Sequence, residues 1–276
     1  MKEKAAYLFG TAAAYLYAIK PRMKKKADKM KGVFYAHRGL HNLAEGVPEN
    51  TMSAFKRAVE AGVGIEMDIQ LTKDEQVVVF HDFDLKRVCC ADGQVSDYTY
   101  EELSRLQVCR TGERIPLFRD VLAMVNGRVP LLVEIKYKNL YSRICGKADR
   151  LLRDYPGEYV IESFHPRALL WYRIHRPEIC RGQLAMNYQR QEGHFGPELI
   201  LSRHLLFDFI GRPDFISYDI RDRKAISKNI CRRLFHCPSA GWTVKSPEQL
   251  KQIRSYYDSF IFEGFLPTRA ASSQNG

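Results

Sequence analysis

The chain has 276 residues, 45% of them hydrophobic, with a formal net charge of +11 and a pI near 9.3. That length suits one large domain or two small ones, and a core of this size buries roughly 70–75% of the unfolded surface, so no disulfide framework or structural metal is needed for stability. Seven cysteines, odd in number, irregular in spacing and without a CxxC pair, exclude the usual zinc patterns and read as free thiols of a reducing compartment.

In chain order, residues 5–19 come first as an uncharged run, shorter than the roughly 20 residues that cross a bilayer upright. Seven basic residues follow (Lys20, Arg22, Lys24, Lys25, Lys26, Lys29 and Lys31) against the single acid Asp28. This is a poor signal-peptidase site and a good stop signal. An ordinary helix docked on the domain is one reading. The preferred one is a short membrane anchor or interfacial helix whose basic block meets an anionic membrane surface through residues 5–31 and keeps the rest on the cytoplasmic side. No nucleic-acid partner is expected, because no base-reading motif follows the basic block.

After residue 31 short β-branched or aromatic runs alternate with helix-like stretches. Strands are predicted at 33–36, 65–71, 77–80, 131–135, 159–164, 182–186, 215–218, 241–244 and 260–263. Helices are predicted at 51–61, capped by Asn50 or Thr51, at 117–125, and at 166–175 with Pro166 in its first turn. Alternation on this scale predicts an α/β protein with parallel strands. There is one strand more than a closed eight-strand barrel needs. The loop 72–76 is too short for a crossover helix, so either 65–71 and 77–80 form a hairpin-like extension or another strand is misassigned. Residues 84–114, with few apolar residues and little period, read as an inserted excursion within the same domain. The division is then 1–31 as hydrophobic segment plus basic block, 32–268 as barrel domain, and 269–276 as a disordered tail.

Four features fall at strand ends. His37-Arg38-Gly39 follows the first strand, Glu66 and Asp68 lie two apart on the second, His81-Asp82 ends the third, and Glu134 and Lys136 lie two apart at the end of the fourth. Residues two apart on a strand point to one side, and in a parallel barrel the strand C-termini meet at one mouth. Three oxygen ligands without a cysteine or histidine cluster suit one divalent cation, Mg²⁺ or Ca²⁺. Arg38 and Lys136 are suited to neutralising a phosphodiester, and His37 and His81 supply a general base and a general acid.

These residues resemble the glycerophosphodiester phosphodiesterase family. His37-Arg38-Gly39, Glu49-Asn50-Thr51, the pair Glu66 and Asp68 before Thr72 and Asp74, the run ending in His81-Asp82, Arg87, Glu134-Ile135-Lys136, Ser163-Phe164 and Trp242-Thr243-Val244 carry the likeness. The resemblance implies a distorted (β/α)8 TIM barrel of the phospholipase-C-like phosphodiesterase type. It makes Glu66, Asp68 and Glu134 metal ligands, His37 and His81 the catalytic pair, and Arg38 and Lys136 phosphate contacts. Glu49, Asn50, Ser163, Phe164, Trp242 and Glu263 become pocket residues. The implied reaction is attack of the glycerol 2-hydroxyl on phosphorus and hydrolysis of the cyclic phosphate, giving glycerol 3-phosphate and an alcohol. Two places depart from the family pattern. The last strand reads Asp258-Ser259-Phe260-Ile261-Phe262-Glu263, with Phe262 for a hydroxyl and Glu263 for a shorter acid, and Lys245 stands where asparagine is common. A pocket wall altered at the last strand is therefore expected. Alternatives are a related phosphodiesterase acting on lysophospholipids or other lipid headgroups, favoured by wide apolar walls, and a non-catalytic membrane-surface protein.

Overall fold

The computed structural model describes residues 2–22, 25–137, 143–193 and 196–267, so Lys24 and the expected tail 269–276 lie outside the described residues. Nine strands are present: β1 Phe34–Ala36, β2 Gly64–Leu71, β3 Val77–Val79, β4 Leu131–Ile135, β5 Tyr159–Ser163, β6 Arg181–Ala185, β7 Phe215–Asp219, β8 Ser239–Val244 and β9 Ser259–Phe262. The helices are α1 Lys2–Ile19, α2 Met52–Glu60, α3 Lys86–Cys89, α4 Tyr100–Leu103, α5 Phe118–Val125, α6 Arg143–Leu152, α7 Pro166–His175, α8 Tyr188–Glu192, α9 Pro197–Arg203, α10 Asp208–Gly211, α11 Ile226–Leu234 and α12 Pro247–Ile253.

Eight strands run parallel and close into a barrel through the β1–β2 and β1–β9 pairings. The ninth strand is accounted for by a hairpin: β3 is antiparallel to β2, with Ile69 opposite Val79 and Leu71 opposite Val77. Alternation along the strands sends one set of side chains inward. Tyr35, Leu132, Val160, Phe215, Ala240 and Ile261 fill the lower barrel, and the other set packs outward against the helices. The apolar moment of α2 buries Ala54, Phe55 and Ala58, and its start is fixed by Thr51, whose side chain accepts from the Ala54 amide.

The excursion after Asp84 is not apolar-poor where it matters. Leu85, Val88, Val95, Leu103 and Val108 join Val78, Phe80, Ile115 and Leu117 in a satellite core. Its helices α3 and α4 have four residues each, too few to show a period in the sequence.

The basic block lies at the end of the barrel opposite its mouth. A 3-10 turn, Lys25–Met30, pushes Ala27 and Met30 into the lower barrel core. Arg22 and Lys26 donate to the carbonyl of Pro177, and Lys29 donates to that of Tyr159. Ile19 is fully buried, and the Cys231 thiol donates to its carbonyl. Residues 15–22 and 25–31 thus pack as the floor and flank of the barrel. No helix among the described residues is long and apolar enough to cross a membrane.

Gly39 closes the turn after β1 at φ +82°, a conformation that side chains resist, and a methyl there would lie 2.9 Å from Ala54 and Phe55. Gly39→Ala is expected to cost about 1–3 kcal/mol. The readout is a lowered urea midpoint at unchanged slope; an unchanged midpoint would show that the turn relaxes freely.

Candidate active site at the barrel mouth

The strand register brings the acids together. Asp68 on β2 pairs with Glu134 on β4, and Glu134 with Glu162 on β5. Glu66, Asp68 and Glu134 are buried, and one oxygen from each lies within 4.8 Å of the others. Lys136 Nζ bridges two of them, 2.9 Å from Asp68 and 2.7 Å from Glu134. Burial, then the charges of Asp68 and Glu134, push the Glu66 carboxyl well above its usual range. Burial also raises Glu134 despite Lys136. Asp68 goes the other way: burial opposes it, but Lys136, His81 and Arg38 hold it well below. Three oxygen-donor acids share a space too small for their charges, with an ammonium already inserted between two of them. That donor set fits a hard divalent cation.

Arg38, also at positive φ, turns its backbone N–H onto Glu66 Oε2 at 2.8 Å and its guanidinium onto Glu49 at 2.7 Å. Glu49 does not line the cavity. It bridges Arg38 and Arg87, and despite burial the Arg87 hydrogen bond and the Arg38 charge bring its pKa down to about 2. Asn50 likewise stands behind the acids, donating to Asp68 Oδ2 at 2.9 Å.

The two histidines are held differently. His37 Nδ1 lies 2.9 Å from Glu263 Oε2. Burial lowers the imidazole to about 4 against the pull of that hydrogen bond, while the bond itself brings Glu263 to about 2. At neutral pH both values describe a neutral ring donating Nδ1–H to an ionised carboxylate, which leaves Nε2 as its basic nitrogen. His81 Nδ1 is 2.6 Å from Asp82 Oδ1, and Arg87 holds that aspartate in turn. Gln70, unnoticed in the sequence, ties this segment to β2 by donating to the carbonyls of Phe80 at 2.8 Å and Asp82 at 2.6 Å.

The departures at the last strand have a joint explanation. Phe262 does not reach the pocket; strand alternation turns it outward into the helix layer and leaves Ile261 facing in. Glu263 reaches His37, and Lys245 Nζ lies 3.6 Å from the other Glu263 oxygen. The unusual acid and the unusual lysine are partners.

His37, Arg38, Glu66, His81, Glu134 and Lys136 open onto a cavity of about 1130 Å³. Ser163, Phe164 and Trp242 line it as expected, with Phe164 edge-on to Trp242 at 5.7 Å. The far wall is largely apolar and comes from β6 and the β6–β7 connection: Leu184, Met186, Tyr188, Leu199, Phe207 and Ile210, with Glu198 and Ser202 beside Leu199. Sequence reasoning missed this wall, although Leu184 and Met186, two apart on and after β6, carried an inward-facing pattern.

Residues 37–192, over half of the chain, match the Glycerophosphoryl diester phosphodiesterase family. A glycerophosphodiester phosphodiesterase of Caldanaerobacter subterraneus is 40% identical over 167 residues, 56% of this chain and 67% of that protein. A lysophospholipase D of Rattus norvegicus is 35% identical over 150 residues, 50% of this chain and 46% of that protein. The structure of a Thermotoga maritima glycerophosphodiester phosphodiesterase superposes with a TM-score of 0.63 at 25% identity, covering 83% of this chain and 93% of that one. A phosphodiesterase of Oleispira antarctica, solved in complex with the product sn-glycerol-3-phosphate, shares the fold at 19% identity and TM-score 0.68, covering 86% and 94%. With the closed barrel and the acid cluster at its mouth, these matches make the chain a member of the glycerophosphoryl diester phosphodiesterase family and a phosphoric diester hydrolase.

Proposed function

We propose that this barrel hydrolyses glycerophosphodiesters to glycerol 3-phosphate and an alcohol, with Glu66, Asp68 and Glu134 holding one divalent cation, Mg²⁺ or Ca²⁺. The observation that carries the reading is the convergence of Glu66, Glu134, Lys136, Arg38 and two separately held imidazoles on one cavity, with Asp68 clustered against the two glutamates. The cation, when bound, supplies Lewis-acid polarisation of the phosphodiester. Arg38 and Lys136 neutralise its oxygens. His37 Nε2 takes the proton of the glycerol 2-hydroxyl as that oxygen bonds phosphorus. The bond to the leaving alcohol breaks, and His81 protonates the departing oxygen. Water then opens the cyclic phosphate with the roles exchanged: His81 takes the water proton and His37 returns one to the 2-oxygen. Glu263 and Asp82 keep each ring in the orientation these transfers need.

A second reading is favoured by the apolar wall. A cavity of this volume exceeds what a bare glycerol headgroup fills, and Leu184, Leu199, Phe207 and Ile210 suit an acyl chain. A 1-acyl lysophospholipid keeps the 2-hydroxyl that the mechanism uses, whereas a diacyl lipid does not. Product analysis over glycerophosphodiesters and lysophospholipids, with and without chelator, is the test. Glycerol 3-phosphate or lysophosphatidate is expected, lost with chelator; phosphocholine as the product would reject the assigned leaving group.

A further inference from the structure

The way α1 leaves the barrel bears on how an amphiphilic substrate would reach the mouth. In a parallel barrel each helix that follows a strand starts at the mouth and runs to the floor, so the first residues of α11 lie at the mouth end. Ile19 meets Cys231 in the second half of α11, and Tyr15 lies between Cys231 and Ser227, one turn nearer the start of that helix. The next residues confirm the direction, since the Arg22 amide reaches Pro213, just before β7 begins. Helix α1 therefore runs antiparallel to α11 and points its N-terminal half toward the mouth. At 1.5 Å per residue, residues 7–9 stand about 9–12 Å beyond Tyr15, past the first turn of α11.

Among the described residues of that half, none is buried. Residues 7–14 are exposed on every face of the helix, with Tyr7 at 74%, Leu8 at 67% and Phe9 at 79%. Ile226, the first residue of α11, is 70% exposed at the same end. On α9, Leu199 and Ser202 line the cavity while Ile200 and Leu201 face out, so the apolar wall of the pocket continues onto the outer surface. The β7–α11 turn carries Arg221, Arg223 and Lys224 and α8 carries Arg190; Arg221 pairs with Asp219, Arg190 pairs with Asp222, and Glu198 is exposed on α9, so Arg223 and Lys224 leave a small basic excess. Apolar and aromatic tips among basic side chains match the layered chemistry of an anionic lipid surface, where aromatic rings sit at the headgroup level and cations meet lipid phosphates.

We infer that the mouth side of the barrel, from the tip of α1 across Ile226 to Ile200 and Leu201, is a surface that seats on an anionic lipid bilayer and presents the cavity to it. The occupant is a membrane rather than a protein partner, because the apolar tips are spread over three helices within a net basic rim and form no single groove. This inference rests on the lysophospholipid reading for its purpose, since such a substrate resides at a membrane surface. It assigns contact to the free end of α1, not to the Lys20–Lys31 block, which faces the other end of the barrel.

The experiment uses the full chain and mixed phosphatidylcholine–phosphatidylglycerol vesicles. Wild type is expected to co-sediment, and Leu8→Asp/Phe9→Asp and, separately, Ile200→Asp to lower the bound fraction by about tenfold or more at unchanged melting temperature. Hydrolysis of lysophosphatidylcholine carried in the vesicles is expected to fall with binding, while hydrolysis of water-soluble glycerophosphocholine stays within about twofold, since none of the three residues lines the cavity. Vesicle binding lost in the variants without any lysophospholipid hydrolysis by wild type supports the surface and removes the substrate reading alone. Wild type remaining in the supernatant, or variants that sediment as well as wild type, overturns the inference. So does a concentration-dependent dimer, abolished by the same substitutions, in a chain that ignores vesicles.

Discussion

His81→Ala and His37→Ala are each expected to lower turnover of a saturating glycerophosphodiester by about 10²- to 10⁴-fold, because the proposed mechanism gives each ring a proton to move. The two rings are held by different carboxylates, Asp82 and Glu263, so neither substitution disturbs the other's partner. Both side chains are partly exposed, at 18% for His37 and 32% for His81, so little packing is lost and the melting temperature is expected to shift by no more than about 2–4 °C. Steady-state kinetics beside thermal melts separate the outcomes. Wild-type turnover in either variant removes that histidine from the mechanism; a collapsed melting temperature would assign it to the fold.

Lys136→Met is expected to be the most damaging single change to the metal-free protein, at about 3–5 kcal/mol. The ammonium is buried between Asp68 and Glu134. Burial works against its charge, yet those two carboxylates hold it protonated well above the ordinary lysine range. Removing it strands two buried acids beside a third. The loss should shrink as pH falls, because an acid whose folded pKa is raised is most stable in its protonated form. Glu66 and Glu134 are both raised, so their share of stability is fully present below about 4.5, the ordinary glutamate range, and fades as pH rises through their folded values. Urea denaturation of wild type and variant in chelator at pH 5 and pH 8 is the check. A loss that does not grow with pH would mean that the acids are not strained against one another.

Much of this architecture was legible before the structure. All nine strands were readable, most strongly where apolar runs such as 77–79 and 131–135 are buried on both faces, and the short loop 72–76 offered the local β2–β3 pairing as one of two readings. Glu66, Asp68 and Glu134 could be read as one cluster because period-two spacing and parallel register act together. What escaped was set by contacts distant in sequence. Nothing local shows that Lys245 would meet Glu263, that Glu49 would bridge Arg38 and Arg87, or that Gln70 would hold the His81 segment. Phe262 was expected to alter the pocket, yet one step of strand alternation turned it outward. The basic block carried a strong compositional signal, but composition does not say that Ala27 and Met30 within it plug the barrel.

The proposed function has three carboxylates at the barrel mouth bind a divalent cation on which turnover depends. Its most direct test is a Mg²⁺ and Ca²⁺ titration of melting temperature and turnover, on wild type and Glu134→Gln. Wild type in chelator should be folded and inactive, and added metal should raise both quantities along one binding curve, more steeply at pH 8 than at pH 5 because protons compete for the raised acids. Glu134→Gln keeps the shape of the side chain but removes one charge, so both curves should shift together to higher metal concentration. Full activity in excess chelator, or an unchanged metal affinity in Glu134→Gln, would contradict the three-carboxylate site.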